Sequence, residues 1–265
     1  MKIGYFLLVI ALITSCTKEE ESKNTKKEQT TEKRAQAITD KTIRFATVNW
    51  PPFYSENLRN GGPYTEITRQ AFEKVGYKYS IDFIPWQRAL LHAEKGIKYH
   101  GLQGAWMNEE RQKTFHYSNI VYPSGIFFIS KKGRKFDFKN LDSLVNYKIG
   151  INRGYAYYKE FKENKNLTKV IVDAPIQTLK MILNGRIDLT LDNKLVLLST
   201  IKENMPEKRD EFEIHEPSVS QQPLYNTISK KIPNSEQIIS DFNKGLELLK
   251  KEGGIDKILK SHGLK

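Results

Sequence analysis

Residues 42–106 read TIRFATVNWPPFYSENLRNGGPYTEITRQAFEKVGYKYSIDFIPWQRALLHAEKGIKYHGLQGAW, and their periodicity decides the fold class. Ile43 to Val48 is a β-branched run of strand character. Tyr64 to Val75 places Ile67, Ala71, Phe72 and Val75 on one face of a helix that Gly76 stops. Tyr79 to Ile84 is the next strand, Gln87 to Lys95 a second helix before Gly96, and Tyr99 to Gln103 a third, weaker strand. Short strands alternating with amphipathic helices predict an α/β fold with largely parallel sheets.

The same alternation restarts downstream. Lys148 to Ile151, Val170 to Val172 and Ile187 to Leu191 read as strands, separated by helices over Tyr157 to Glu163 and Ile176 to Asn184, the latter with Pro175 near its first turn. Two α/β units are implied. A last helix carries Ile238, Phe242, Leu246 and Leu249 on one face, with Asn234 placed to cap it and Gln237 as the reciprocal partner.

The chain ahead of these units has a different composition. Lys2 precedes an apolar run from Ile3 to Ile13, the right length for the core of a secretion signal and too short to span a membrane. Ile13-Thr14-Ser15-Cys16 follows, resembling the bacterial lipobox, in which the cysteine is lipidated and becomes the mature N-terminus; an ordinary signal peptide with an incidental cysteine is the alternative. Residues 1–15 are thus expected to be a lipoprotein signal, and residues 16–41 a lipidated cysteine and its tether. From Thr17 to Lys41 almost nothing is apolar, so the segment cannot bury enough surface to order itself, and as a coil it spans roughly 27 Å. Cys16 is the one cysteine, which excludes an intramolecular disulfide framework and a thiolate zinc site.

The charge changes meaning with that division. The 265 residues carry 43 Lys and Arg against 31 Asp and Glu, a net +12 that by itself suggests nucleic acid or an anionic surface. The signal holds one Lys, and the tether seven basic and six acidic residues, leaving +10 on the folded part. Export and the lack of any base-reading motif argue against nucleic acid.

The three tryptophans point to a site. In open α/β sheets ligands bind beyond the carboxyl ends of the strands, and Trp50, Trp86 and Trp106 each follow one of the first three strands by a few residues. Plain core packing is the competing account. Gly101 and Gly104 flank the third loop and allow close backbone approach.

Asn49-Trp50-Pro51-Pro52-Phe53, Gly62-Pro63-Tyr64-Thr65-Glu66-Ile67, Pro85-Trp86-Gln87-Arg88-Ala89-Leu90, Met107-Asn108-Glu109-Glu110-Arg111 and Phe115-His116-Tyr117-Ser118 resemble the family 3 extracytoplasmic solute-binding proteins. Tyr147 to Ile151 with Gly154, and Leu183-Asn184-Gly185-Arg186-Ile187-Asp188, continue the resemblance in the family's order as far as about Gly263. It implies a two-lobed, type II periplasmic-binding fold in which a hinge closes the lobes on a small polar solute, delivered to an ABC permease in the inner membrane. Lobe one is expected over residues 42–127 and 222–265, and lobe two over 128–221, with crossing strands at Gly125 to Ser130 and Pro223 to Ser229. The implied partners are a small-molecule solute, the permease and, through Cys16, a lipid bilayer. No cofactor or nucleic acid is implied, and a monomer is expected.

By the same resemblance Arg111 grips the ligand carboxylate, a task suited to a planar, permanently charged bidentate donor; a surface ion pair with Glu109 is the alternative. Trp50, with Phe53 beside it, matches an aromatic that stacks on the ligand, or else plugs the core next to Pro51. Departures from the family bear on specificity. Trp106 stands where amino-acid binders place a Ser, and Gly154-Tyr155-Ala156 replaces Gly-Thr-Thr, so two hydroxyls are lost. The position of the family aspartate that holds the ligand amine falls on Asn193, with Asp192 just before it, and either can make the contact. The expected ligand is a carboxylate with an apolar, planar or cationic part that Trp50, Trp86 or Trp106 covers. Arg153 and Tyr155 are expected to face the cleft from lobe two. Arg88 suits cleft and surface equally, while Asp188 reads as a turn support and His100 as structural.

An enzyme is not expected: His92, His100, His116, His215 and His262 show no metal-ligand spacing, and no nucleophile elbow or P-loop occurs. A dehydratase on the same fold, and a binding protein that signals to a membrane partner, are the alternative readings.

Overall fold

The computed structural model describes residues 41–264, so the signal segment, Cys16 and nearly all of the tether lie outside the described residues. From Ile43 onward the chain forms one compact unit built on two five-stranded sheets. The first contains β1 (Thr42–Thr47), β2 (Lys78–Phe83), β3 (Gly101–Ala105), β4 (Phe115–Tyr117) and β10 (Tyr225–Ser229), in the order β2-β1-β3-β10-β4. The second contains β5 (Gly125–Lys131), β6 (Lys148–Asn152), β7 (Thr168–Val172), β8 (Leu189–Asn193) and β9 (Phe212–Gln221), in the order β7-β6-β8-β5-β9. This is the α/β two-lobed fold, one lobe per sheet.

The parallel pairs are those read from the sequence alternation: β1 with β3, β6 with β7, and β6 with β8. The antiparallel pairs come from the segments that cross between lobes. β10 runs against β3 and β4, and β5 against β8 and β9, because a chain returning to a sheet from the other lobe enters it from the opposite end. β5 starts at Gly125 and belongs wholly to the second sheet, so residues 125–127 lie with lobe two rather than lobe one. The crossing strands themselves meet where the Gln222 amide donates to the Ser124 carbonyl and Tyr122 bridges Leu224.

Helices cover the sheets. In lobe one α1 (Pro63–Glu73) buries Ile67, Ala71 and Phe72, followed by α2 (Trp86–Lys95) and α3 (Glu109–Thr114). In lobe two lie α4 (Lys159–Glu163), α5 (Pro175–Leu183) and α6 (Lys194–Asn204). The chain then returns to lobe one for α7 (Ser235–Lys251) and α8 (Gly254–Ser261). α7 buries Ile238, Phe242, Leu246 and Leu249 as its periodicity requires, but its expected cap is not formed. Asn234 sits at φ 56 with no side-chain capping bond, and Gln237 donates forward to Asp241 at 2.8 Å. A capping side chain needs an extended backbone at its own residue to reach the third amide, and the left-handed turn at Asn234 removes that reach.

α7 lies close against α1 at Gly245, where a Cβ would stand 1.9 Å from the Ala71 carbonyl oxygen of α1. On an exposed helix face Gly to Ala gains about 1 kcal/mol. Here the overlap with rigid backbone outweighs that gain, and Gly245→Ala is expected to destabilise the chain by about 1–3 kcal/mol, read as a lower urea midpoint with an unchanged denaturant slope.

Candidate functional site

The strand ends of both lobes face one another. After β1 the chain turns back on itself, the Trp50 amide donating to the Tyr54 carbonyl at 2.7 Å. That turn buries Trp50, Phe53 and Tyr54 together. Phe53 stacks on Trp50 at 5.3 Å and packs against Tyr122 at 4.8 Å, so it backs the tryptophan and does not line the cleft as its motif position suggested. Tyr54, not singled out by sequence, lines it instead. Its hydroxyl donates to the Gly104 carbonyl at 3.2 Å, and its ring passes 2.6 Å from where a Cβ on Gly104 would stand. Trp106, just beyond β3, meets Trp50 edge-on at 6.0 Å.

Arg111 lies in the first turn of α3, where the Asn108 side chain accepts its amide hydrogen at 2.8 Å. The side chain is 7% exposed. One guanidinium nitrogen donates to the Trp106 carbonyl at 2.8 Å and the other crosses to lobe two, donating to the Gly154 carbonyl at 2.5 Å. Trp86, the first residue of α2, donates its indole N–H to the same oxygen at 3.0 Å and sets its ring 5.2 Å from the guanidinium. Burial lowers the Arg111 pKa, opposed by Tyr117 and Glu110. The alternative, a surface ion pair of Arg111 with Glu109, is not formed among the described residues: Glu109 pairs across the lobes with Lys159 at 3.3 Å, and Glu110 with Lys162 at 3.7 Å.

The lobe-two wall comes from the ends of β6 and β8. Asn193 caps α6, its side-chain oxygen accepting from the Leu195 and Val196 amides while its nitrogen donates to Ser124 and Gly125. Those bonds use the side chain structurally. Asp192 beside it is 1% exposed and accepts from the Asn193 amide at 2.7 Å and from the Asn152 side chain at 3.4 Å. Burial pushes its carboxyl up to about 7, held back by the Asn193 amide and by the Trp50 indole. That indole N–H faces the carboxylate without reaching hydrogen-bonding geometry and has no other partner. Burial and the nearby Asp192 charge raise the hydroxyls of Tyr54, Tyr155 and Tyr157 well above the usual range. The Trp106 N–H and the Asn152 side-chain oxygen are likewise buried without partners.

Tyr155 reaches from lobe two to the lobe-one core beside Trp86, meeting Trp106 edge-on at 5.2 Å. Arg153 is exposed, pairs with Asp173 at 2.7 Å and lines the same open cavity as Arg111, Asn152 and Tyr155. Arg88 is exposed on α2. Asp188 accepts from the Lys148 amide and pairs with Arg134, and His100 accepts from the Arg44 amide, its pKa pushed down to about 4 by burial and by Arg44. Both have the supporting roles read from the sequence. Asn152, Tyr54 and Tyr157 were missed; Asn152 was within reach of the strand-end rule, since it ends β6.

The family model for "Bacterial extracellular solute-binding proteins, family 3" matches residues 43–265. The chain is 26% identical over 159 residues to the L-cystine-binding protein TcyJ of Escherichia coli (strain K12), a match covering 58% of this chain and only 59% of that relative's length. It is 27% identical over 196 residues to the L-cystine-binding protein TcyA of Bacillus subtilis (strain 168), covering 74% of this chain and 69% of the relative. Among solved structures, a mutant of ArgBP from T. maritima superposes with a TM-score of 0.72 at 17% identity, over 88% of this chain and 99% of the other.

The raised carboxyl of Asp192 makes stability depend on pH. Between an ordinary value of 3.8 and about 7 the folded chain keeps a proton that the unfolded chain has released. Stability therefore falls as pH rises through that window and stays lower above it. Asp192→Asn removes the cost and is expected to exceed the parent by up to about 4 kcal/mol at pH 8 and by almost nothing near pH 4, measured by urea unfolding at both values. An advantage equal at the two pH values would mean the carboxyl titrates normally.

Proposed function

Because the chain belongs to the bacterial extracellular solute-binding proteins, family 3, we propose that it binds a small zwitterionic solute, an amino acid or derivative, between its lobes and presents it to an ABC permease. One observation carries the reading. Arg111 and Asp192 are buried groups of opposite sign, and among the described residues neither forms an ion pair: Arg111 donates to two backbone carbonyls and feels Glu110 only at a distance, and Asp192 accepts from an amide and an asparagine with the Trp50 indole facing it. Leaving an ion buried without a counter-charge costs several kcal/mol, a cost that a ligand bearing both charges relieves. The carboxylate goes to Arg111, whose guanidinium fork donates to its two oxygens. The ammonium goes to Asp192, with the unpartnered Asn152 oxygen as a further acceptor. Trp50, Trp86 and Trp106 cover the remainder of the solute from lobe one.

The names of the relatives, L-cystine binders and an arginine binder, support an amino-acid class of solute. The lipobox-like Ile13 to Cys16 run supports export and a lipid anchor at Cys16, with the tether holding the lobes just off the bilayer. No step of bond making or breaking is assigned to the site, and binding with release is the whole proposed activity.

Calorimetry with L-cystine, L-arginine, L-phenylalanine and glycine tests the charge assignment. Arg111→Ala is expected to weaken the best ligand at least about 100-fold, roughly 3 kcal/mol, and Arg111→Lys to restore little of it because a point charge does not replace the fork. Unchanged affinity in Arg111→Ala would reduce Arg111 to a link between lobes. For the anchor, Cys16→Ser is expected to shift the protein from the detergent phase to the aqueous phase on Triton X-114 partitioning; retention in the detergent phase would rule out lipidation at Cys16.

A further inference from the structure

Two spaces adjoin at Tyr155. On one side is an open cavity of about 650 Å³ that reaches Arg111, Asn152 and Tyr157 and has a charged rim including Glu94 and Lys165. On the other is an inner pocket among Trp50, Tyr54, Trp86 and Trp106 with about 20 Å³ of room, enough for about one water. Tyr155 and Arg111 line both. The outer cavity falls in the size range of small-molecule sites, whereas the inner pocket, with the Tyr155 ring as one of its walls, holds no group larger than a water.

The placement of that ring is specific. Tyr155 follows the turn at Arg153 and Gly154, its amide bonded to the Asn152 carbonyl at 3.3 Å. The turn is pinned to lobe one through the Gly154 oxygen, which receives both Arg111 and Trp86. The ring then packs, partly buried, against the apolar cluster of Trp86, Ala89, Leu102 and Ala105, a lobe-one core, although Tyr155 itself belongs to lobe two. Around it the indole N–H groups of Trp50 and Trp106 are buried and unpartnered. A pocket of aromatic faces with indole donors that form no hydrogen bond among the described residues, walled by a flat side chain from the opposite lobe, has the shape and chemistry of a site for a flat group of a ligand.

Resting on the zwitterion reading above, we propose that Tyr155 is a specificity-determining residue: its ring closes the inner pocket in the place of a planar apolar group of the solute. Binding is then an exchange, in which the charged end of the solute is held at Arg111 and Asp192 while its planar group displaces Tyr155 from among the tryptophans. Solutes without such a group have nothing to put in the pocket and leave Tyr155 where it is. The favoured class is an amino acid carrying an aromatic or comparably flat side chain.

The three tryptophans of the chain all line this pocket, so their fluorescence reports on it without any label. Acrylamide quenching of the solute-free full chain is compared for the parent, Tyr155→Phe, Tyr155→Ala and Tyr155→Thr, with circular dichroism checking that each is folded. The ring-keeping Phe variant is expected to quench like the parent, and the Ala and Thr variants at least twofold more, because the pocket floods. L-phenylalanine is expected to restore the low quenching in Tyr155→Ala and to bind that variant at least tenfold more tightly than the parent, with L-alanine doing neither. Quenching that stays at the parent level in both the Ala and Thr variants overturns the closing of the pocket by Tyr155. Protection by L-alanine equal to that by L-phenylalanine overturns the selection of planar solutes. If calorimetry detects neither solute in any of the proteins, the zwitterion reading and the selection built on it fall together, while the solute-free quenching decides the placement of Tyr155 on its own.

Discussion

The Gly154 carbonyl oxygen is the point on which the two lobes are fixed to each other. It accepts from the Arg111 guanidinium at 2.5 Å and from the Trp86 indole at 3.0 Å, both reaching from lobe one. A hydrogen bond from a charged donor contributes about 1.5–3 kcal/mol and a neutral one about 1. The pairs Glu109–Lys159 and Glu110–Lys162 also cross the lobes, but their side chains are more than half exposed and such pairs contribute about 0–1 kcal/mol each. The buried carbonyl therefore sets the relative position of the lobes, and the ion pairs at the rim add little beyond steering. Everything placed by that turn follows from it, including the packing of Tyr155 against the lobe-one core.

Charge and burial make the cleft selective. In water an isolated Arg and Asp would interact weakly with a zwitterion, since Coulomb energy at 4 Å is about 1 kcal/mol there and about fourfold larger at the effective dielectric of a partly buried site. The aromatic walls remove that water. They do it with side chains that keep a donor at one end, so Trp50 and Trp106 exclude solvent and still offer N–H groups. Phe at those positions would give the same exclusion without the donors. The raised carboxyl of Asp192 is the cost of this arrangement expressed at the acid, and the lowered pKa of Arg111 is the same cost at the base.

What the sequence disclosed and what it withheld follow from the range of the forces involved. Strand and helix periodicity is local, so the α/β alternation and the buried faces of α1 and α7 were legible, as was the gathering of the tryptophans beyond strand ends. The choice between Asp192 and Asn193 was not, because it turns on which residue caps α6, and that depends on Ser124 and Gly125 nearly seventy positions away. Phe53 was misplaced for a related reason: a ring that stacks behind another looks the same in sequence as one that lines a cavity. Asn234 was misread because its backbone turns left-handed, a conformation open to Asn but not announced by it.

The two replacements at the cleft also depend on each other. By the resemblance to the family Trp106 stands in the place of a serine and Tyr155 in that of a threonine, and each exchange removes a small hydroxyl, which alone would leave a polar site with fewer donors. Together they put an indole and a phenol in contact at 5.2 Å, converting hydrogen-bonding capacity into apolar area that only another flat group matches. One aromatic without the other would face either a void or a clash: Tyr155 beside a serine lacks a wall, and Trp106 beside a threonine leaves a gap the size of a ring. A core this close-packed tolerates neither. On the reading proposed above, the two rings act as one element, and recognition rests less on the ligand backbone, which every amino acid shares, than on the shape of what the backbone carries.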